Sequence, residues 1–578
     1  MRQNVIVTLS VVTAVIVVAA IVFVLYSTRT PPTEERRCYY CSHGNQSKLG
    51  DICSPSELGK YHQFAISTDS NVCAPAGKSI MEEGGNAIDS AIAVLLCMGV
   101  TIPESLGLGG GSMIVIYHNN TKRSVYINAR EAAPAKAYRD MFNSTGIPTN
   151  RSSFGVESIA VPGELAGYWR MYNEYGSGII PWKRLFRDAI KFAKDGFPVG
   201  QHLQDAMDQK KDTLLRLNSL RQHYSLFYKN LSKLILEDIQ KATAEFPGQV
   251  PIIEQSDFDN YDVIEQDAFV HKMHDDITLH TTELPGGGPL LSFIIRVMLK
   301  YKELYPAAMK DQEKANLFVH RMIEAFKFAF ANRMYLGDDR FDNVTEIMKN
   351  IQSEDYINFV HSRINDNQTY SSSSGYYYAE VYQNFDHGTA HVSVLDKHGN
   401  AVGVTSTVNL YFGSKVISPS TGLILNDEMD DFNTGAMNEF DMPVSYANTV
   451  KGGKRPLSSM SPAIFTDDSG VRLVIGASGG PKILTAVAYN ALRHLWLKDG
   501  IKSSIDSCRA HDQLFPEEII IEPCFPSAVL SGLVERHHNI TELPKGDRGA
   551  IVMGISRSRD GLIEANSDYR KGGTVAGI

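Results

Sequence analysis

His387-Gly388-Thr389-Ala390-His391-Val392-Ser393-Val394-Leu395 is followed by Asp396-Lys397-His398-Gly399-Asn400 and then Ala401-Val402-Gly403-Val404-Thr405-Ser406-Thr407-Val408-Asn409-Leu410. The first stretch alternates apolar and polar side chains from Thr389 to Leu395, which predicts a strand. Asp396 to Asn400 predicts a turn, and Ala401 to Leu410 a second strand. A hairpin entered through Gly-Thr is not in itself an active site. His387 and His391 are spaced like neighbours on one strand face, which invites a metal reading; no third ligand stands out, so a structural role is the reading retained.

Outward from the hairpin, Gly84-Gly85-Asn86 precedes Ala87 to Cys97, apolar nearly all round, as expected of a helix buried in a large core. Met113 to Tyr117 reads as a strand, and a helix near Phe318 to Tyr335 carries apolar residues at helical spacing. Two glycine clusters, Gly107-Leu108-Gly109-Gly110-Gly111 and Gly286-Gly287-Gly288, read as tight turns. The first runs into a strand, and neither carries the Gly-Lys-Ser/Thr of a phosphate-binding loop.

The chain has 578 residues, 43% hydrophobic, 9% aromatic and 21% charged, and can bury a large core. Its formal charge is only -9 and its Lys and Arg residues are scattered, which argues against a nucleic-acid partner. Val5 to Tyr26 is uncharged and long enough to cross a hydrocarbon core of ~30 Å, so it reads as a membrane anchor; a cleaved signal has a shorter apolar run ending at a small-x-small site. Residues 1–4 then form a short tail and residues 27–60, with Pro31, Pro32 and mixed charge, a stem before a body that starts near Tyr61.

Flanking charge does not orient the anchor, because Arg2 and the amino terminus face Arg29, Arg36 and Arg37. Acceptor sequons at Asn45, Asn119, Asn143, Asn150, Asn230, Asn343, Asn367 and Asn539, with all seven cysteines beyond the anchor, favour a single-pass type II protein with its bulk outside the cell. In that oxidising setting Cys73 with Cys97 and Cys508 with Cys524 are candidate disulfides, although connectivity is open. Cys38, Cys41 and Cys53 leave an odd thiol; a Cys-x-x-Cys metal site there lacks a second ligand pair, and loop disulfides are the simpler reading.

The stretch His387 to Val394 resembles the processing site of γ-glutamyltransferases. The likeness continues through Thr405 to Ser414, Asn426-Asp427-Glu428-Met429-Asp430-Asp431-Phe432, Pro456-Leu457-Ser458-Ser459-Met460 and Gly476-Ala477-Ser478-Gly479-Gly480. In the first half, Asn128-Ala129-Arg130-Glu131 and Val161-Pro162-Gly163-Glu164 match too, so the resemblance spans about Tyr61 to the end. It implies an α/β N-terminal nucleophile hydrolase, a four-layer αββα sandwich, with a large fragment (61–388) and a small one (389–578) that remain together as a heterodimer.

The resemblance further implies cleavage between Gly388 and Thr389. A threonine hydroxyl is a weak nucleophile unless a base takes its proton, and an N-terminal threonine carries that base in its α-amine, of reference pKa ~7.7–8.0. The base does not exist until the bond to Gly388 is cut. By resemblance, Glu428, Asp431 and Asn409 hold the donor's ammonium, while Arg130, Ser458 and Ser459 hold its α-carboxylate. The Gly479 and Gly480 amides form the oxyanion hole, and Thr407 hydrogen-bonds the nucleophile's hydroxyl.

The expected substrates are glutathione and other γ-glutamyl compounds, with water, amino acids or dipeptides as acceptors and with no metal or organic cofactor. Departures are few. Asp427 stands where Asn is expected, Pro481 after Gly480 lacks an amide donor, and Tyr411-Phe412 resembles glutathione-cleaving members. Two rivals stand beside this reading: a related acylase such as the cephalosporin acylases, which the acid pair Glu428 and Asp431 argues against, and an unprocessed membrane homologue acting as a binding protein.

Overall fold

A computed structural model of the chain describes residues 48–49, 54–143, 150–217, 231–379, 388–433 and 445–578. The expected tail and anchor, most of the stem, Cys38, Cys41, Cys53, Asn45, Asn230 and His387 lie outside the described residues. Among the described residues, no helix is long and apolar enough to cross a membrane.

The predicted hairpin forms from strands Ala390–Leu395 and Ala401–Thr407, antiparallel with Ala390 opposite Ser406. Its second strand stops three residues before the expected Leu410, because Asn409 takes φ 73°, a left-handed conformation that a strand cannot hold. The hairpin forms the middle of a seven-stranded sheet. One side continues to Gly111–His118, Arg123–Ala129 and Ile264–Asp267, the other to Ala65–Thr68 and Thr574–Gly577. A second seven-stranded sheet orders Gly59–Tyr61, Ile563–Ser567, Ile551–Arg557, Gly470–Ser478, Ala463–Asp467, Thr278–Thr281 and Phe269–Lys272. All pairings in both sheets are antiparallel.

The two sheets stack face to face, with Gly470–Ser478 against both hairpin strands. Strand periodicity divides the side chains between two cores. Ala390, Val392 and Val394, with Ile114 and Ile116, face a cluster completed by helices Ala74–Glu82 and Ala87–Thr101, whereas Met113, Val115 and Tyr117 join Ile464 and Ile475. His391 fills the space over Gly476, where an added Cβ would lie 2.1 Å from its ring. Helices Lys482–Leu495 and Ile501–Asp506 cover the outer face of the second sheet, with Gly288–Leu299 and Gln312–Arg333 packed beyond. The order is helices, sheet, sheet, helices.

Helix Ala87–Thr101 starts at a reciprocal cap, in which Asn86 accepts from the Asp89 amide and Asp89 accepts from the Asn86 amide. Helix Gln312–Arg333 begins six residues before the expected Phe318 because Asp311 caps it, accepting from Lys314 N at 2.9 Å. The body also takes up the chain earlier than Tyr61: the Ser54 and Ser56 hydroxyls bond Asp506 at 2.6 and 2.9 Å. Both candidate disulfides are formed, Cys73–Cys97 and Cys508–Cys524, each with Cα atoms 5.7 Å apart.

Candidate active site

Thr389 lies at the mouth of the central hairpin with only 3% of its surface exposed. The preceding Gly388 has φ 153°, and a Cβ there would sit 2.1 Å from the Asn409 carbonyl oxygen, so only glycine fits. The left-handed turn at Asn409, which ends the second strand, brings that carbonyl to Gly388. Thr407 closes the arrangement: its hydroxyl accepts from the Asn409 amide at 2.8 Å and donates to the Gly388 carbonyl oxygen. In the uncut chain Thr407 therefore holds the carbonyl before Thr389, where the expectation had it on the Thr389 hydroxyl.

Arg130 follows strand Arg123–Ala129 and is fully buried. Its guanidinium pairs with both Glu428 and Asp431, at the two ends of the one-turn helix Glu428–Asp431, and its Nε donates to the Pro456 carbonyl at 3.3 Å. The expected readers of opposite ends of a zwitterion are thus bound to one another. The reason is that three buried charges cannot stand unpaired. Asn128 Oδ1 accepts from the Arg130 amide at 3.0 Å and fixes the backbone there.

Two further acids are buried beside them. Burial pushes the Glu131 carboxyl up to about 8, against the pull of Arg130, and the Glu164 carboxyl up to about 7, against hydroxyls of Tyr168, Ser406 and Ser112. Both matched the family motifs, but no role attached to them from sequence. Asp427, standing where Asn was expected, takes Lys415 at 3.4 Å and the Leu410 amide at 2.9 Å; burial pushes its carboxyl up to about 7.

The remaining predicted residues frame these two centres. Ser458 and Ser459 are buried just past Pro456, and among the described residues the Ser459 hydroxyl and Asn409 Oδ1 have no hydrogen-bond partner. Asn409 Nδ2 donates to the Asp427 carbonyl at 3.1 Å. Gly479 and Gly480, with φ 121° and 63°, join strand Gly470–Ser478 to helix Lys482–Leu495, so their amides lie at a helix entrance; Pro481 occupies its N-cap position without a side-chain capping bond. Tyr411 donates or accepts a 3.1 Å bond with His202 Nε2, and His202 Nδ1 meets Glu104 at 2.9 Å.

His391 has the structural role expected of it. It bonds Thr405 at 2.9 Å and Ser393 at 3.0 Å, and burial pushes its imidazole down to about 3.

Sequence reasoning missed Lys571 and Asp69. Lys571 Nζ donates to the Thr389 carbonyl at 2.9 Å and to Asp69 at 2.7 Å, and Asp69 also accepts from the Ser478 hydroxyl at 3.3 Å. The only trace of this in the sequence is a charge before Gly572-Gly573 near the end of the chain, which has no meaning until the strands are ordered.

Comparison with known proteins gives the family. The family model described as Gamma-glutamyltranspeptidase matches residues 73–233 and 222–578. The chain belongs to the γ-glutamyltranspeptidase family. Among its relatives, Scoloptoxin SSD14 of Scolopendra dehaani is 41% identical over 552 residues, covering 91% of this chain and 94% of the relative. Glutathione hydrolase 3 of Arabidopsis thaliana is 32% identical over 597 residues, covering 92% and 89%. The solved cephalosporin acylase from Bacillus halodurans superposes with a TM-score of 0.73 over 91% of this chain and 98% of its own, at 19% identity, and so shares the fold. In this member of the γ-glutamyltranspeptidase family, the layers described above are the frame that carries Thr389, Arg130, Glu428 and Asp431.

Proposed function

We propose that this enzyme is a membrane-anchored, outward-facing γ-glutamyltransferase of the N-terminal nucleophile type. It cuts itself between Gly388 and Thr389, cleaves glutathione and its conjugates, and passes the γ-glutamyl group to water, amino acids or dipeptides. The observation that carries this reading is the Thr407 hydroxyl on the Gly388 carbonyl, with Gly388 pressed against Asn409. A donor on that oxygen stabilises the charge that develops when the Thr389 hydroxyl attacks the carbonyl carbon. Collapse of that adduct breaks the Gly388–Thr389 C–N bond, which leaves an ester on the Thr389 oxygen and a free Thr389 amine; water then hydrolyses the ester, releasing the Gly388 carboxylate and the Thr389 hydroxyl, for which the amine serves as the base.

A γ-glutamyl donor brings one ammonium and one carboxylate to Arg130, Glu428 and Asp431. Its carboxylate takes a guanidinium edge and its ammonium an acid, so the count of opposite charges in the pocket stays balanced. The two acids hold Arg130 in place before substrate arrives. The amides of Gly479 and Gly480 meet the oxyanion, Cys-Gly leaves from glutathione, and the acceptor resolves the ester on Thr389. Supporting an outward-facing body are the two disulfides and the exposure of the sequon residues Asn143, Asn150, Asn343, Asn367 and Asn539.

The test is a denaturing gel of the purified protein with and without Thr389→Ala, alongside donor hydrolysis with and without a dipeptide acceptor. Two fragments in the parent and one inactive chain in the variant are expected. Two fragments from the variant, or a single active chain in the parent, would end this reading. Deglycosylation should also shift both fragments.

A further inference from the structure

Lys571 is buried, with 5% of its surface exposed, and uses its three ammonium protons on three acceptors: the Thr389 carbonyl at 2.9 Å, Asp69 Oδ2 at 2.7 Å and Ser105 Oγ at 3.1 Å. A neutral donor would satisfy the Thr389 carbonyl equally well, whereas a buried ammonium needs a counter-ion to be tolerated. That counter-ion is Asp69, which is 1% exposed and turned toward the His391 amide, two residues beyond the nucleophile. The positive charge touches Thr389 itself; its negative partner lies against the next part of the strand. Covalent geometry keeps a residue's nitrogen within about 4 Å of its own carbonyl oxygen, so Lys571 Nζ lies within roughly 7 Å of the Thr389 nitrogen.

We propose that Lys571 is a positioning residue that sets the proton affinity of the nucleophile's base. Once the chain is cut, the ammonium held on Thr389 disfavours a second positive charge on the α-amine, which is then neutral and able to take the hydroxyl proton at physiological pH. This inference rests on the reading of Thr389 as an N-terminal nucleophile. It makes Asp69 and Lys571 an opposed pair, one raising and one lowering the amine's proton affinity.

The other ionisable groups facing this centre are Glu104, whose Oε1 lies 3.4 Å from Ser105 Oγ, and its partner His202, which burial holds below the usual imidazole range. His391 is kept neutral by burial. Asp69 itself is pushed up to about 6 by burial, with Lys571 pulling the other way, so the charge pair is complete only above that pH.

The experiment is the pH dependence of kcat/KM for a γ-glutamyl anilide, measured on processed full-chain enzyme. Its acid limb reports the base of the free enzyme. A nearby charge moves a pKa by about one unit or more. Lys571→Gln should move the limb up by at least about one pH unit, with activity recovering at alkaline pH, and Lys571→Arg should leave it in place. Asp69→Asn should move it down.

Opposite movements are not what a purely structural role would give. A uniform loss at every pH in Lys571→Gln, or movement of both variants in the same direction, overturns the proposal. If Lys571→Gln stays uncut, Asp69→Asn decides, and an unmoved limb there overturns it. Failure of the underlying reading is seen separately: wild-type enzyme quenched during turnover would then carry no γ-glutamyl ester on the Thr389 peptide.

Discussion

The Thr407 hydroxyl donates to the carbonyl oxygen of Gly388, so this side chain engages the bond at which we propose that the chain cuts itself. Thr407→Val removes that donor while keeping the branched shape. Loss of one donor of this kind lowers rates by about 10²–10³, and self-cleavage of the valine variant should slow by that order. Thr407→Ser should cut at a rate near the parent's. The measurement is the uncut fraction on a denaturing gel over time after synthesis; equal rates for valine and parent would show that the bond has no part in the cut.

Gly388→Ala places a methyl group 2.1 Å from the Asn409 carbonyl oxygen at a φ of 153°. Overpacking of this sort costs roughly 1–3 kcal/mol. The chain relieves it by moving the 388 carbonyl away from Thr407, and an intact chain should accumulate. A gel and a melting curve read both consequences, and prompt cleavage with an unchanged Tm would count against the tight junction.

Arg130→Lys keeps the charge but not the fork, and a lysine cannot bridge Glu428 and Asp431 while also presenting an edge to a carboxylate. Charge-assisted hydrogen bonds contribute on the order of 1.5–3 kcal/mol, so donor kcat/KM should fall roughly tenfold to hundredfold. Cleavage at Gly388 should proceed, since it uses no free carboxylate. Steady-state kinetics with a γ-glutamyl anilide and its analogue lacking the α-carboxylate test this; equal discrimination by parent and variant would remove Arg130 from carboxylate binding.

Glu164 makes a pH-dependent contribution to stability. Burial pushes its folded-state pKa up to about 7, above the ordinary 4.5, so between those values the folded protein holds a proton that the unfolded chain has lost. Stability therefore falls as pH rises through that window. Glu164→Gln removes this term, and from pH 5 to pH 8 the variant should gain on the parent by on the order of 1–3 kcal/mol. Denaturant midpoints at the two pH values measure it, and parallel changes in both proteins would mean that Glu164 ionises normally.

The hairpin from Ala390 to Thr407 and the buried helix from Ala87 were legible in sequence, because a period of two or a run of apolar residues reports the local environment directly. The two disulfides were legible only as candidates: an oxidising compartment makes such bonds expected, but which cysteines pair is decided by the fold. The point at which the second strand ends was not legible, since it depends on Asn409 adopting φ 73°.

Nor was the pairing of Arg130 with acids 298 and 301 positions away in sequence, which the order of strands creates. Motif matching had assigned these three residues to a ligand and left them without each other. Glu131 and Glu164 matched motifs too, yet their shifted carboxyls come from burial, which a short motif does not record. Lys571 lies 182 residues from the carbonyl it holds, and no local pattern connects them.

Both seven-stranded sheets draw strands from either side of Gly388. In one, Ala65–Thr68 lies between Thr574–Gly577 and Ala390–Leu395; in the other, Gly59–Tyr61 borders Ile563–Ser567. A cut at Gly388 consequently severs a covalent link but no layer, and neither product owns a complete sheet. Separation of the two pieces would be indistinguishable from denaturation. The uncut chain folds as a unimolecular event, whereas denatured halves must find each other, at a rate that depends on their concentration. The proposed self-cleavage would therefore act as a ratchet, and an enzyme so cut would persist by the slowness of its unfolding rather than by its ability to fold again.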